Sequence, residues 1–283
     1  MSDTEQQEKL RSAIAQIGKE NGTVATAVAV HDYDSDFRFE FEAERVFHAA
    51  STIKVAILLA VLKSVDEKRC RFEDPIHVRN RFLSVVDGSP YRLDSGSDGY
   101  TQLYKSIGRT ARVSDLAEWM ITWSSNLATN LLLDFVGSDY ATEVLKEAGV
   151  SGVELRRGVE DNKAHEREID NETTANGLVQ LFAVFRGDFL SKESRDRAIH
   201  ILLQQRFTSM IPAGLPSHAT VAHKTGEIST VCHDAGIVYL PEREPYIVAI
   251  LTEVDPNKNG RRETVAKISA AIYEAVTGKT GAK

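Results

Sequence analysis

The chain has 283 residues, a formal net charge of -7, 42% hydrophobic and 27% charged residues. That length fits one large domain or two modest ones with room for a sizeable core. The acidic balance argues against a general nucleic-acid surface and against an anionic membrane. No segment approaches 18 uninterrupted apolar residues, so none reads as a bilayer span. The N-terminus, MSDTEQQEKLRS, is polar and lacks the apolar core of a signal peptide. As written the chain is expected in the cytoplasm; if an export signal was removed, the expectation becomes periplasmic or secreted. Cys70 and Cys232 are expected to be free thiols.

In chain order, residues 4–18 place Leu10, Ala13, Ile14 and Ile17 at helical spacing, with Gly18 as the expected stop. TVATAVAVHDY (23–33) reads as a strand by its valines, and DSD (34–36) as a turn. FRFEFEA (37–43) alternates Phe37, Phe39 and Phe41 with Arg38, Glu40 and Glu42, the pattern of a half-buried antiparallel strand. From about 48 to 205 the pattern is helical, with 3.6-period segments at 51–65, 114–122, 126–136, 139–148 and 173–186. A loop rich in Gly, Ser and Asp, DGSPYRLDSGSDG (87–99), interrupts them. HDAGIVYL (233–240), a PERE turn and PYIVAILTEV (245–254) read as a second hairpin. ETVAKISAAIYEAV (263–276) closes the chain with Val265, Ile268, Ile272 and Val276 on one helical face. Both chain ends therefore build one antiparallel sheet with helices packed on it, and a helical lobe is inserted between its halves. The cleft between lobes is the expected place for a site.

The chemistry concentrates in three places. In HAASTIKVAILLA (48–60) a lysine sits inside an apolar run, three residues after a serine. Residues i and i+3 share a helical face, with Cβ atoms about 5–6 Å apart. Lys54 held among apolar residues loses hydration, which favours the neutral base. A base in reach of the Ser51 hydroxyl makes an activated nucleophile. The plainer alternative is that Ser51 caps the helix and Lys54 snorkels to water. Trp123-Ser124-Ser125-Asn126 displays a hydroxyl and a carboxamide between two helical segments, or is simply a turn with a cap. His223-Lys224-Thr225-Gly226 puts a lysine, a hydroxyl and a close-approach glycine at a sheet edge, as an anion site or an ordinary strand-turn triplet. Lys279-Thr280-Gly281 repeats the last triplet after a completed helix and reads as a frayed tail. It is not a P-loop, because the required upstream glycine position holds Tyr273.

In that order, Ser51-x-x-Lys54, Ser124-x-Asn126 and Lys224-Thr225-Gly226 resemble the signature elements of the class A β-lactamase and penicillin-binding-protein family of serine hydrolases. MITWSSNLATNLLLDFVG (120–137) resembles the family's helix at the second motif, including the later Asn130. The resemblance covers almost the whole chain. It implies an α/β fold of the α+β type, with an antiparallel five-stranded sheet flanked by N- and C-terminal helices and an inserted helical lobe. One catalytic domain would span 1–283, its α/β lobe about 1–47 and 207–283 and its helical lobe about 48–206.

The implied reaction opens a β-lactam amide through a Ser51 acyl-enzyme, with no metal and no cofactor. Lys54 would help remove the Ser51 proton, and Ser124 would pass a proton to the leaving nitrogen. Asn126 would hold the substrate amide and orient Lys54. Lys224, Thr225 and Gly226 would form the carboxylate-binding edge, and the N–H groups of Ser51 and Glu227 the oxyanion hole. The implied partner is a small-molecule β-lactam, ester or amide, with no nucleic acid and no membrane. The alternatives in the same fold are an intracellular esterase or amidase, or a penicillin-binding protein that deacylates slowly.

The pattern departs from the family in three places. The loop 155–174 has no clean E-x-x-L-N, so Glu160 is the leading deacylation base, ahead of Glu166 and Glu168. Ala164 stands where the family places the asparagine that helps hold the water. Ser125 stands where the family usually has aspartate. Glu227 brings a carboxylate beside the anion site, which repels a carboxylate substrate if it points inward. Other chemistries fit less well. There is no H-x-H or H-E-x-x-H for zinc, no G-x-S-x-G elbow and no G-x-G-x-x-G after a strand. His233-Asp234 reads as structural.

Overall fold

The computed structural model describes residues 3–257 and 259–278; Lys279-Thr280-Gly281 lies outside them. Helix α1 (Asp3–Asn21) leads into β1 (Thr23–Asp32) and β2 (Arg38–Phe41). The middle of the chain holds α2 (Lys54–Asp66), α3 (Val113–Thr122), α4 (Asn126–Val136), α5 (Ser138–Glu147), the short α6 (Asn162–His165), α7 (Ala175–Val184) and α8 (Lys192–Leu203). Then come β3 (Thr220–Glu227), β4 (Val231–Tyr239), β5 (Tyr246–Val254) and α9 (Arg261–Thr277). The five strands form one sheet in the order β3-β4-β5-β1-β2, every neighbour antiparallel.

Both faces of this sheet are covered, which is why β1 reads as a nearly unbroken apolar run. Val28 and Val30 pack with Leu10 and Ile14 of α1 and with Val265, Ile268 and Ile272 of α9. Ala27 and Ala29, one residue out of phase, join the core of the helical segment. Helix α2 is buried from Lys54 through Leu62. A helix that is apolar on every side belongs in a core, and α2 is the hub of this one.

The structure moves some expected boundaries. Helix α1 does not stop at Gly18 but runs to Asn21, and the chain turns at Gly22, whose φ is +65°. Gly18 is there for packing, since a Cβ would lie 2.9 Å from Thr23 Oγ1. Ser51 sits in a 3-10 turn, Ala50–Ile53, that runs straight into α2. Helix α8 was not among the expected segments. Its apolar positions, Ala198, Ile201 and Leu202, crowd toward its end. Both cysteines are free and buried, and no helix among the described residues is long and apolar enough to cross a membrane.

Candidate active site

The three motifs meet on one cleft of about 610 Å³, lined by Ser51, Ser124, Asn126, Glu160, Thr225 and Glu227 among others. Ser51 is presented by the 3-10 turn ahead of α2, where N–H groups have no intrahelical acceptor. The turn is fixed from behind: Ala50 takes a φ of +46° and its N–H donates to His48 Nδ1 at 3.0 Å. Strand β3 lies against the same turn. A Cβ on Gly226 would sit 3.1 Å from Thr52 N and 3.2 Å from Ala49 O. A side chain there would be crowded, so glycine eases this close approach, and the contact sets Glu227 next to the Ser51 turn.

Lys54 is fully buried. Its Nζ lies 2.7 Å from Ser124 O, 3.1 Å from Ser124 Oγ and 2.7 Å from Asn126 Oδ1. Burial lowers its pKa to about 7, against the opposing pull of the Asp98 and Glu160 carboxylates. Near neutral pH a large share of Lys54 is therefore the free amine, whose lone pair can accept from a hydroxyl. Lys224, also fully buried, donates from Nζ to Ser124 Oγ at 3.0 Å and to Thr225 O at 2.7 Å. Burial, and then repulsion from Lys54, hold its pKa well below the ordinary lysine value, while Asp234 opposes the shift.

Ser124 has a φ of +57° and sits just before α4. Ser125 is buried and caps α4, its Oγ accepting from Ala128 N at 3.2 Å. Asn126 is the first residue of α4; its Oδ1 serves Lys54 and its Nδ2 donates to Glu160 Oε1 at 2.7 Å.

Glu160 lines the cleft with a φ of +59°. Its carboxylate also accepts from Ser97 Oγ at 3.0 Å and Asp94 N at 3.2 Å. It therefore meets Lys54 through Asn126. Glu166 and Glu168 are exposed and do not line the cleft. Ala164 is a fully buried residue of α6, whose cap is Asp161. Asn130 holds the segment before Glu160, accepting from Val159 N at 2.8 Å and donating to Val159 O at 2.9 Å.

Glu227 does not leave a bare carboxylate at the anion site. Arg261 and Arg262 of α9 each pair with it at 2.8 Å. His233 and Asp234 are structural: His233 Nδ1 accepts from Thr252 N, and Asp234 holds Ile211 N and His223. Burial lowers the His233 pKa to about 4, so the ring is neutral.

Three features escaped the sequence reading. Asp98 reaches the start of α4, where its carboxylate accepts from Leu127 N at 2.8 Å. Arg157 pairs with Asp170 at 2.6 Å, with His48 and His165 around the same carboxylate. His48, His165 and Asp170 are the one metal-type donor grouping among the described residues. It makes a poor metal site, because the Arg157 guanidinium already fills the cation position. His48 Nδ1 already accepts the Ala50 N–H, and its Nε2 faces the Arg157 guanidinium at 3.4 Å, so both ring nitrogens are taken. Trp123, Phe207 and Met210 add an apolar wall beside Ser124. Signals for these were weak: one aspartate in a turn-like loop, and partners far apart in sequence.

A family model described as "Beta-lactamase enzyme family" matches residues 9–276. The chain belongs to the β-lactamase enzyme family. Its relatives include a β-lactamase of Streptomyces fradiae, 27% identical over 242 residues, covering 83% of this chain and 76% of that one. Another is β-lactamase BRO-1 of Moraxella catarrhalis, 25% identical over 236 residues, 80% and 72% covered. Among solved structures, an acyl-enzyme complex of a PBP-A point mutant with penicillin G superposes with a TM-score of 0.80 at 27% identity. It covers 96% of this chain and 97% of that one. TLA-1 extended-spectrum β-lactamase superposes with a TM-score of 0.82 at 21% identity, 95% and 99% covered, a likeness of fold. The five-stranded antiparallel sheet and its helices are those of this family's fold.

Proposed function

We propose that this family member opens β-lactam amides by forming an acyl-enzyme on Ser51 and then hydrolysing it. The observation that carries the reading is the convergence of Lys54 and Lys224 on the Ser124 hydroxyl, in the cleft that also displays Ser51.

Ser51 Oγ attacks the lactam carbonyl carbon as its proton passes to the neutral Lys54 amine. The carbonyl oxygen becomes an oxyanion held by the N–H groups of Ser51 and Glu227, donors of a kind each worth about 2.7–4 kcal/mol. The C–N bond then breaks, and the proton reaches the leaving nitrogen from Lys54 through Ser124. Lys224 and Thr225 hold the substrate carboxylate, and Lys224 draws electron density from the Ser124 hydroxyl as it relays. Water then attacks the ester, giving up a proton to Glu160, and Ser51 leaves with a proton returned to it. Hydrolysis of a chromogenic cephalosporin by the wild type, lost in Ser51→Ala, is the test. Equal turnover by both would rule the reading out.

A second reading is favoured by one observation. Glu160 is engaged by three donors, and its usual asparagine partner is absent at Ala164. A penicillin-binding protein that acylates and then deacylates slowly fits that arrangement. The two readings separate on the rate of adduct loss alone.

A further inference from the structure

The second motif lacks its usual carboxylate at Ser125. A serine caps α4, but its hydroxyl brings no charge to the positive end of an 11-residue helix. The buried Asp98 lies there instead, coming from the loop 87–99. Its Oδ2 accepts from Leu127 N at 2.8 Å and from Ser125 Oγ at 3.3 Å. Its remaining donors are Tyr100 N at 2.8 Å and the Tyr104 hydroxyl at 3.2 Å. We infer that Asp98 is a positioning residue for the Ser124–Asn126 loop, supplying from a different segment the carboxylate that Ser125 does not carry.

A second observation points the same way. A Cβ on the next residue, Gly99, would lie 1.8 Å from Trp123 O. The backbone of the 87–99 loop is thus pressed onto the peptide just ahead of Ser124, and only glycine permits it. Ser124 leaves that contact in a left-handed conformation. The docked loop therefore fixes the place from which Ser124 O, Ser124 Oγ and Asn126 Oδ1 meet Lys54. Asp98 touches none of the reacting atoms; it acts through these three oxygens.

The same carboxylate acts through space. The charged groups that bear on Lys54 are Asp98 from the 87–99 loop, Glu160 from the 155–174 loop and Lys224 from β3. Asp98 is the larger of the two carboxylate influences that favour the ammonium. Removing its charge makes Lys54 easier to deprotonate while loosening the oxygens around it. A simple packing role would not alter the pH at which Lys54 titrates.

This inference rests on the acylation chemistry proposed above. The test is the rate of covalent labelling by benzylpenicillin from pH 5.5 to 9, for the wild type, Asp98→Asn and the double variant Asp98→Asn/Ser125→Asp. Asp98→Asn is expected to slow labelling by about 10- to 100-fold, as for loss of hydrogen bonds to a charged group, and to move the rising limb to lower pH. The double variant, with the carboxylate back in the motif, is expected to return both toward wild type. Asp98→Asn with wild-type rate and limb overturns the inference, as does a folded double variant no better than Asp98→Asn. If Asp98→Asn is too unstable to assay, the double variant decides alone: a wild-type limb supports the inference and a shifted limb or no labelling overturns it. A wild type that never labels overturns the acylation chemistry itself, which distinguishes the two failures.

Discussion

Lys54 and Lys224 both reach the same atom, the Ser124 hydroxyl oxygen, at 3.1 and 3.0 Å. Two buried ammonium groups on one acceptor repel each other, and the low dielectric strengthens that repulsion. The arrangement is relieved by releasing a proton, and Lys54, buried along the apolar α2, has its pKa lowered to about 7.

The pH dependence of acylation follows from that. Lys54 acts as a base only when neutral, and its pKa is lowered to about 7. The second-order rate of labelling should therefore climb through about pH 7, about tenfold per pH unit on the acid side. Lys224 must stay charged to hold a carboxylate. Its pKa lies well below 10.5, so the rate should fall again before the pH of an ordinary lysine is reached. A stopped-flow pH profile checks both limbs; a rate flat from pH 5.5 to 9 would exclude Lys54 as the base.

Glu160→Gln should leave labelling by benzylpenicillin in place and slow the loss of the adduct by about 100-fold or more, the contribution of a general base. Mass spectrometry after removing excess penicillin reads the decay directly. An unchanged decay would mean that another group activates the water and that Glu160 only ties Asn126 to Ser97 and Asp94.

Arg157→Ala should weaken the 155–174 loop. The guanidinium donates twice to Asp170 at 2.6 and 3.1 Å, and its side chain is 8% exposed. Losing these hydrogen bonds leaves a part-buried carboxylate short of donors and costs about 2 kcal/mol. Urea denaturation of both proteins measures it. A loss below about 1 kcal/mol, the range of a surface pair, would show that His48 and His165 suffice to hold Asp170.

Much of this was legible in the residues. The apolar run after Ser51 marked a core helix, and the three motifs together, not Lys54 alone, favoured an activated serine over a lysine that snorkels to water. The valines of 23–33 and the phenylalanine alternation at 37–41 carried the first hairpin, and HDAGIVYL (233–240) with PYIVAILTEV (245–254) carried the second. Local patterns cannot report long-range electrostatics, however. Glu227 looked like an obstacle to an anionic substrate because its partners, Arg261 and Arg262, lie on another element. Asp98 was not singled out within the Gly/Ser/Asp-rich loop 87–99, because its acceptor role depends on that loop docking onto α4. Gly18 looked like a helix stop because its packing against Thr23 cannot be seen along one strand of sequence. The apolar positions of α8 are too few and too late to announce a helix before the fold supplies its surroundings.

Covalent chemistry at Ser51 is read most directly from the intact mass of the protein over time after mixing with benzylpenicillin. The wild type should gain the mass of one penicillin on the peptide bearing Ser51, Ser51→Ala should not, and the added mass should be lost as hydrolysed product accumulates. A wild type that gains no mass, or a Ser51→Ala variant that gains the same mass, would contradict that chemistry.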